Sequence, residues 1–190
     1  VSFKRWRLFN GWLGLIGSLG YKIELHELVA ADHGVPQLRR RLFITGVKSR
    51  RSVSVDRPTK GRPPAFGPCV EWGSGRWSPF SSLRPAARAR VETCFKKAGP
   101  RFIGQHVSHN PAWSPFEPVR TVTTQDQLYI VDGRDRYRKL STLETARAMG
   151  FPDDHATPAG VTRGALMRGY GNAVCPPQGR DIVRGVMEAA

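Results

Sequence analysis

Hydrophobic and polar positions near the start of the chain predict a helix followed by two strands. The helix lies within residues 1–19 and stops at Gly20, and its apolar face consists of Leu8, Leu13, Ile16 and Leu19. Residues 21–29 alternate between apolar and polar side chains, which predicts a strand. The mostly apolar run Arg41–Val47 predicts a second, buried strand. This order of elements is typical of the last part of an α/β sheet.

A second set of patterned segments follows residue 118. Its predicted elements are one or two strands within 119–131, helices at 142–149, 161–168 and 177–189, and a turn at 169–172. Ser141 and Glu144 have the spacing of a capping box, in which each side chain bonds to the other residue's backbone at a helix start. Gly150 supplies the stop of that helix, whose predicted inward residues are Leu143, Ala146 and Met149.

The region between these segments, residues 48–118, has a different composition. It is rich in Pro and Gly, contains three Trp, and has one helical pattern, at Pro85–Lys97. A loop of this length without structure is unusual in a compact domain, so the composition favours a second, smaller lobe with an irregular fold. A disordered basic linker is the alternative, and the tryptophans weigh against it.

Positive charge is concentrated in the middle of the sequence. The formal net charge is +15, and residues 34–101 contain sixteen Lys and Arg against three acidic residues. Such a field attracts polyanions. No amphipathic basic helix accompanies the charge, so a nucleic acid is favoured over a membrane surface as the partner.

The three widely spaced cysteines, Cys69, Cys94 and Cys175, indicate neither a disulfide framework nor a metal site. Their odd number is typical of a reducing compartment, which predicts the cytoplasm. No signal peptide or membrane-spanning run is visible, since the apolar stretch at residues 13–19 is far too short to cross a bilayer. The chain begins with Val1 rather than Met, so we expect it to be a fragment of a longer protein.

The pattern Gln37-x-Arg39-x-Arg41 carries the clearest chemistry. Gly34 and Pro36 force a turn before it, and an apolar strand follows it. If the segment is extended, all three side chains point to one face, because side chains alternate across a strand. One amide and two guanidiniums suit a planar polar ligand such as a base edge, or phosphate. A solvated basic loop is the alternative interpretation.

Three separated blocks resemble the DNA (cytosine-5) methyltransferase family, in the family's order. They are Gly34-Val35-Pro36-Gln37-x-Arg39-x-Arg41, similar to motif VIII; Arg138-x-Leu140-Ser141-x-x-Glu144-x-x-Arg147-x-x-Gly150-Phe151-Pro152, similar to motif IX; and Gly171-Asn172-Ala173-Val174-x-Pro176-Pro177, similar to motif X. The basic region lies where the family keeps its target recognition domain. His33 and Ser141 are mild departures, standing where the family usually has Tyr and Thr.

The resemblance implies an α/β fold: the C-terminal part of a Rossmann-like methyltransferase sheet with an inserted, smaller, irregular β-rich recognition lobe. It implies three regions, which are 1–47 of the catalytic domain, 48–137 as the recognition domain, and 138–190 as a return to the catalytic domain. The family's Gly-rich cofactor loop and its catalytic Pro-Cys precede motif VIII and are not in the sequence, and Val1 is a candidate for the last residue of the family's Glu-Asn-Val segment.

The implied activity is methyl transfer from S-adenosylmethionine, without a metal, to carbon 5 of a cytosine flipped out of double-stranded DNA. In the family a thiolate adds to carbon 6 of the base, and negative charge develops on the ring. By resemblance Arg41 contacts the cytosine carbonyl, Arg39 helps to hold the site and its missing acidic partner, and Gln37 orders the loop. For Arg39 and Gln37 a role as scaffold alone is equally open.

The resemblance assigns the remaining site residues to the cofactor and the DNA. Asn172, Ala173 and Val174 would line the S-adenosylmethionine pocket, with a plain helix-entry turn as the alternative. Thr121, in a segment similar to the one that closes the recognition domain, would contact the DNA backbone. Arg138 is the second DNA-binding candidate, although with Glu144 it would also brace the two lobes against each other.

The expected partners are DNA and the missing N-terminal half of the same enzyme, in a bacterial or phage-encoded restriction–modification setting close to the nucleoid. Pro68-Cys69 is not expected to be the nucleophile, because it follows motif VIII and lies in the variable region. The chain alone is therefore expected to be inactive. A non-catalytic DNA-binding module and one subunit of a split enzyme remain the alternatives.

Overall fold

The computed structural model describes residues 7–106, 112–133, 135–155, 157 and 159–190. The described helices are α1 (Phe9–Ser18), α2 (Pro85–Ala98), α3 (Thr142–Ala148), α4 (Arg163–Asn172) and α5 (Pro176–Ala189). The described strands are β1 (Lys22–Val29), β2 (Gln37–Leu38), β3 (Arg40–Val47), β4 (Ser78–Pro79), β5 (Arg101–Gln105), β6 (Ala112–Trp113), β7 (Val119–Arg120), β8 (Leu128–Asp132) and β9 (Arg136–Lys139). Val1, the candidate end of a Glu-Asn-Val segment, lies outside the described residues.

The first sheet is an antiparallel pair of β1 and β3, with Leu25 opposite Ile44. The prediction that β3 is a buried strand is confirmed only in part: Val47 is buried and Leu42 and Phe43 are half-buried, but Ile44 is 38% exposed, and Leu25 opposite it on β1 is 43% exposed. Among the described residues no third strand joins this pair. An apolar cross-strand pair therefore faces solvent on the molecule as it stands.

Helix α1 packs on β1, and the predicted apolar face is confirmed in part. Phe9 is buried and Leu13 and Ile16 are half-buried, at helical spacing, whereas Leu8 and Leu19 are largely exposed. The predicted stop is confirmed, since Gly20 has a φ of +88°.

The inserted lobe is built on a five-stranded antiparallel sheet in the order β4-β9-β8-β5-β6. One face of the sheet, which includes Ile103 and Ile130, joins the main hydrophobic core. The other face, which includes Phe102 and Val131, packs with residues of α2. The predicted β-rich lobe and its helix at Pro85 are confirmed, and the lobe has its own core, which a disordered linker would lack.

A short parallel pair joins this lobe to the first part of the chain. Gln37 lies opposite Val119 and Leu38 opposite Arg120, so β2 and β7 run side by side in the same direction. The fold is thus an α/β unit with a β-rich lobe inserted into it, as the sequence predicts.

The C-terminal elements follow the sequence closely up to α4. The capping box at α3 is confirmed, because Ser141 and Glu144 bond reciprocally, and Gly150 has the predicted left-handed conformation. The predicted turn at residues 169–172 is wrong, since α4 continues through Asn172 and ends there. The last helix begins at Pro176 rather than at Pro177. Within the described parts of the chain, no helix is long and apolar enough to cross a membrane.

Candidate functional site

Arg39 lies at the junction of three distant segments. Its side chain is buried, with Nη1 3.1 Å from the backbone oxygen of Val122 and Nη2 2.9 and 3.1 Å from those of Gly171 and Ala173. All three acceptors are backbone carbonyls, which the fork of guanidinium donors matches well. Arg39 therefore ties the motif VIII segment to the end of the inserted lobe and to the end of α4.

Gln37, two residues before Arg39, also links distant segments of the chain. It is fully buried; its Oε1 accepts from the backbone nitrogen of Val122 at 2.8 Å, and its Nε2 donates to the backbone oxygen of Ala148 at 2.9 Å. The amide thus joins the segment after β7 to the end of α3. This position suits a residue that orders the loop, while a direct catalytic role stays a prediction.

Arg41 is exposed, in contrast to the two residues that precede it on the pattern. Burial, with the positive charge of Arg41 nearby, lowers the pKa of Arg39 below its ordinary value. Burial also raises the pKa of the Cys175 thiol to about 11, although Arg39 and Arg41 oppose that change. Both guanidiniums therefore lie near Cys175, with the Arg39 side chain buried and the Arg41 side chain exposed.

The prediction that the side chains of Gln37, Arg39 and Arg41 all point to one face is wrong for Arg41. Gln37 and Arg39 point inward and share Val122 as a partner, whereas Arg41 lies on β3, after the break between β2 and β3, and is solvent-accessible. The Nη1 of Arg41 donates to the backbone oxygen of Arg40 at 2.7 Å.

The segment after α4 brings the predicted cofactor residues to the same junction. Asn172 and Val174 are exposed and Ala173 is half-buried, while the carbonyls of Gly171 and Ala173 are held by Arg39. Asn172, Ala173 and Val174 thus lie on a backbone whose position is fixed by the hydrogen bonds from Arg39.

Gly171 allows the end of α4 to lie very close to the backbone of Thr123 and Thr124. A Cβ on Gly171 would lie 2.4 Å from the backbone nitrogen of Thr124 and 2.5 Å from the backbone oxygen of Thr123. Its helical backbone needs no special angle, so the glycine is required by the close approach of two chain segments rather than by a turn.

Replacing Gly171 with alanine is expected to destabilise the chain by about 1–3 kcal/mol, because backbone on the facing segment cannot move aside like a side chain. Gly169 in the same helix is the matched control, since a Cβ there meets nothing within 4 Å. Gly169→Ala should leave stability unchanged or raise it by roughly 1 kcal/mol through helix propensity. Urea unfolding followed by circular dichroism measures both; equal effects of the two changes would contradict this account of Gly171.

Thr121 lies beside the junction, half-buried, with its Oγ1 3.4 Å from the backbone oxygen of Leu38. Its contact with DNA stays a prediction. Arg138 lies elsewhere: it is 7% exposed, and its guanidinium bonds to the Glu144 carboxylate at 2.6 and 2.7 Å and to the backbone oxygen of Glu71 at 2.9 Å. This geometry favours the bracing role of Arg138 over a contact with DNA.

The sequence patterns missed one buried pair behind the site. His33 and Asp181 are both buried, with Nδ1 of His33 3.0 Å from Oδ2 of Asp181. Burial alone would raise the pKa of Asp181, but hydrogen bonds from His33 and Arg180 lower it below its ordinary value. The spacing of 148 residues between the pair leaves no local signal, and the departure at His33 is the only hint in the sequence.

The described residues contain neither a cluster of metal ligands nor an activated thiol. Among the described residues no three His, Cys, Asp or Glu side chains are grouped as they would be around a metal ion. Burial raises the pKa of Cys69 to about 11 and raises that of Cys94 as well, so neither thiol is activated.

Residues 1–81 and 87–188 match the sequence model of the family described as C-5 cytosine-specific DNA methylase. The chain is similar to the Type II methyltransferase M.BsuRI of Bacillus subtilis, with 30% identity over 158 residues, covering 72% of this chain and 33% of that protein. It is also similar to M.BsuFI of the same species, with 26% identity over 184 residues, covering 95% of this chain and 43% of that protein. The chain thus spans less than half the length of these relatives.

Two solved methyltransferase structures share the fold. They are Dnmt2 of S. pombe, with a TM-score of 0.60 and 16% identity, covering 96% of this chain and 61% of that one, and EhMeth of Entamoeba histolytica, with a TM-score of 0.63 and 11% identity, covering 98% and 59%. At this identity the likeness concerns the fold, and it agrees with the predicted α/β class.

Proposed function

This chain belongs to the C-5 cytosine-specific DNA methylase family, and on that premise we propose that it is the C-terminal portion of a DNA cytosine-5 methyltransferase. The complete enzyme transfers a methyl group to carbon 5 of a cytosine flipped out of double-stranded DNA. The chain contributes the DNA-recognition lobe and the wall that closes the reaction site. Since M.BsuRI and M.BsuFI are Type II methyltransferases of a bacterium, we also propose a role in restriction–modification, in the bacterial cytoplasm where the DNA lies.

The observation that carries the proposal is the junction at Arg39. One buried side chain holds the end of the inserted lobe, through Val122, and the end of α4, through Gly171 and Ala173. The three resembling blocks are separate in sequence, and two of them meet here beside the exposed Arg41. A shared location is what one reaction site requires of them.

Arg41 is the residue we propose to contact the substrate. Addition of a thiolate to carbon 6 places negative charge on the cytosine ring and its carbonyl oxygen, and a fixed guanidinium stabilises that charge more in the transition state than in the ground state. The neighbouring Arg39 is engaged by three carbonyls and would position the segment. Gln37 would do the same from the other side.

The residues at the end of α4 fit one part of an S-adenosylmethionine site. Asn172 offers an amide and Val174, which is 51% exposed, offers an apolar surface, both on a backbone braced by Arg39. We propose that they hold the cofactor together with Ala173. When bound, the cofactor supplies the activated methyl group; these residues bind and orient it.

The nucleophilic thiolate is proposed to come from outside this chain. The pKa of each of its cysteines is raised by burial, to about 11 for Cys69 and Cys175, so almost no thiolate forms near neutral pH. We expect Cys69→Ser to change the rate of methyl transfer by the complete enzyme by less than about twofold, since a nucleophile would lose several orders of magnitude. A rate that falls to background would identify Cys69 as the nucleophile instead.

The remaining part of the enzyme is proposed to dock on α1, β1 and β3. These elements and the residues directly beside them carry seven exposed apolar side chains: Leu8, Trp12, Leu15, Leu19, Tyr21, Leu25 and Ile44. Apolar surface of this extent favours a covering partner. An N-terminal half is the natural occupant, because the chain spans only 33% and 43% of the length of M.BsuRI and M.BsuFI.

Reconstitution tests the proposal. The chain is co-expressed with the protein segment encoded directly upstream in the same frame, and transfer of labelled methyl groups to duplex DNA is measured. We expect activity from the pair, none from the chain alone, and 5-methylcytosine as the product. An upstream segment without a nucleophilic Pro-Cys would favour a non-catalytic binding module, and activity restored only by a separately encoded partner would favour a split enzyme. A product other than 5-methylcytosine would overturn the proposal.

A further inference from the structure

Three glutamine side chains form a chain of hydrogen bonds at one end of the inserted sheet. Nε2 of Gln105 donates to Oε1 of Gln127 at 3.3 Å, and Nε2 of Gln127 donates to Oε1 of Gln125 at 2.5 Å. Exposure increases along the row, from the nearly buried Gln105 to the exposed Gln125. The row, which we call the amide relay, therefore fixes the orientation of an exposed amide from the interior of the lobe.

All hydrogen bonds of the amide relay run in one direction, from Gln105 to Gln127 and from Gln127 to Gln125. Each amide accepts from the one before it, so the last amide is left with its donor group facing outward. Within the described part of the chain, the Nε2 of Gln125 bonds to no other residue, while its backbone is fixed through the Oγ1 of Thr123. Successive hydrogen bonds polarise one another, which strengthens the terminal donor.

This donor lies next to the reaction site. The loop that carries Gln125 begins at Val122, whose carbonyl is held by Arg39, and its backbone at Thr123 and Thr124 abuts Gly171. The distance along the chain from Gln125 to the junction is only three residues. A group at this position can reach DNA that is bound at the site.

Cations gather at the same end of the sheet. Lys139 and Arg163 both pair with Asp126, in the loop between Gln125 and Gln127, at 3.2 and 3.0 Å. His106 borders this loop, since its backbone nitrogen donates to the backbone oxygen of Gln127. Burial lowers the pKa of His106, and the positive charges of Lys139 and Arg90 lower it further. The local charge is therefore positive around the relay, as a DNA phosphate backbone requires.

We propose that Gln125 contacts a base edge beside the target cytosine, and that Gln105 and Gln127 are positioning residues that fix which edge it reads. The inference rests on the proposed function and adds to it a residue that determines sequence preference. An outward amide donor selects bases that present acceptors, such as N7 and O6 of guanine.

The experiment uses the chain reconstituted with its upstream segment, and a pool of short duplexes in which base pairs on both sides of a fixed cytosine are randomised. The bound fraction is sequenced, and affinity for a duplex of fixed sequence is measured in parallel. We expect Gln125→Ala to lower the preference at one position by about tenfold, to weaken binding to a fixed duplex that carries the preferred base by a similar factor, and to leave thermal stability unchanged. Ser81→Ala, which removes an exposed hydroxyl elsewhere in the lobe, is the control.

Gln127→Glu separates readout from a structural role. The new carboxylate still accepts from Gln105 but cannot donate to Gln125, so the Gln125 amide turns over and presents its oxygen. We expect the preference at that position to switch towards bases that present donors, such as adenine N6 and cytosine N4. An unchanged preference in both variants, with binding intact in the parent enzyme, overturns the inference alone. A reconstituted parent enzyme that binds no duplex overturns the proposed function, and the inference with it.

Discussion

Replacing Arg41 with alanine in the reconstituted enzyme is expected to lower the rate of methyl transfer by about 10²- to 10³-fold, the usual effect of removing one fixed group that stabilises developing negative charge. Arg41 is exposed beside the buried Arg39, and its Nη1 donates to the backbone oxygen of Arg40, which leaves its other donor nitrogens to contact a base. Its contribution belongs to the transition state, so the loss should appear in kcat rather than in the KM for DNA.

Arg40 supplies a matched control. It is the neighbouring residue, equally basic and exposed, and its Nη1 pairs with Glu27 at 2.8 Å on the surface. Arg40→Ala removes the same charge and should cost less than about threefold in rate, because surface pairs contribute little. Steady-state methyl transfer to duplex DNA measures both variants. Similar losses in the two would show that general positive charge, rather than the position of Arg41, matters.

Replacing Glu144 with alanine is expected to destabilise the chain by about 3–5 kcal/mol, the cost of leaving one member of a buried ion pair alone. The Glu144 carboxylate is fully buried and accepts from both terminal nitrogens of Arg138 and from the backbone nitrogens of Glu71 and Ser141. Removing it leaves four donors without their acceptor and frees the inserted lobe from α3.

Glu92 is the comparison for that change. It pairs with Arg88 at 3.0 Å on an exposed face of α2, so Glu92→Ala should cost only about 0.3–0.5 kcal/mol. Urea unfolding monitored by fluorescence and circular dichroism gives both free energies. A cost for Glu144→Ala as small as that for Glu92→Ala would mean that Glu144 and Arg138 do not brace the two parts of the molecule.

The features that sequence could predict are those encoded within a few residues. Ser141 and Glu144 make their capping box across three positions, and Gly20 and Gly150 end helices through their own backbone angles. The same applies to the helix at Pro85. Each of these signals depends on local chemistry, which the sequence contains in full.

The features that sequence could not predict depend on contacts across long distances. The carbonyls that hold Arg39 lie 83, 132 and 134 residues further along the chain. Glycine next to asparagine predicts a turn at Gly171, whereas in the structure this glycine lets α4 approach Thr123 and Thr124.

Burial in the first sheet was also beyond local patterns. The apolar run of β3 predicts a covered strand, and in this chain Ile44 and Leu25 face solvent because no further element of the described residues covers them. The apolar positions of β3 correctly predict an apolar surface, but they do not show which other segment covers that surface. The resemblance to a family supplied the missing expectation, a further part of the enzyme.

The most direct test of the central claim is a crystal structure of the reconstituted enzyme after it has transferred a methyl group from S-adenosylmethionine to a duplex whose target cytosine carries fluorine at carbon 5. The fluorine cannot leave as the proton does, so the enzyme stays attached to the base. The measured quantity is the distance between the Arg41 guanidinium and the cytosine carbonyl oxygen. We predict a hydrogen bond of about 2.7–3.2 Å, with Asn172 at the cofactor on the same side. An Arg41 directed away from the flipped base, or an Asn172 remote from the cofactor, would contradict the account.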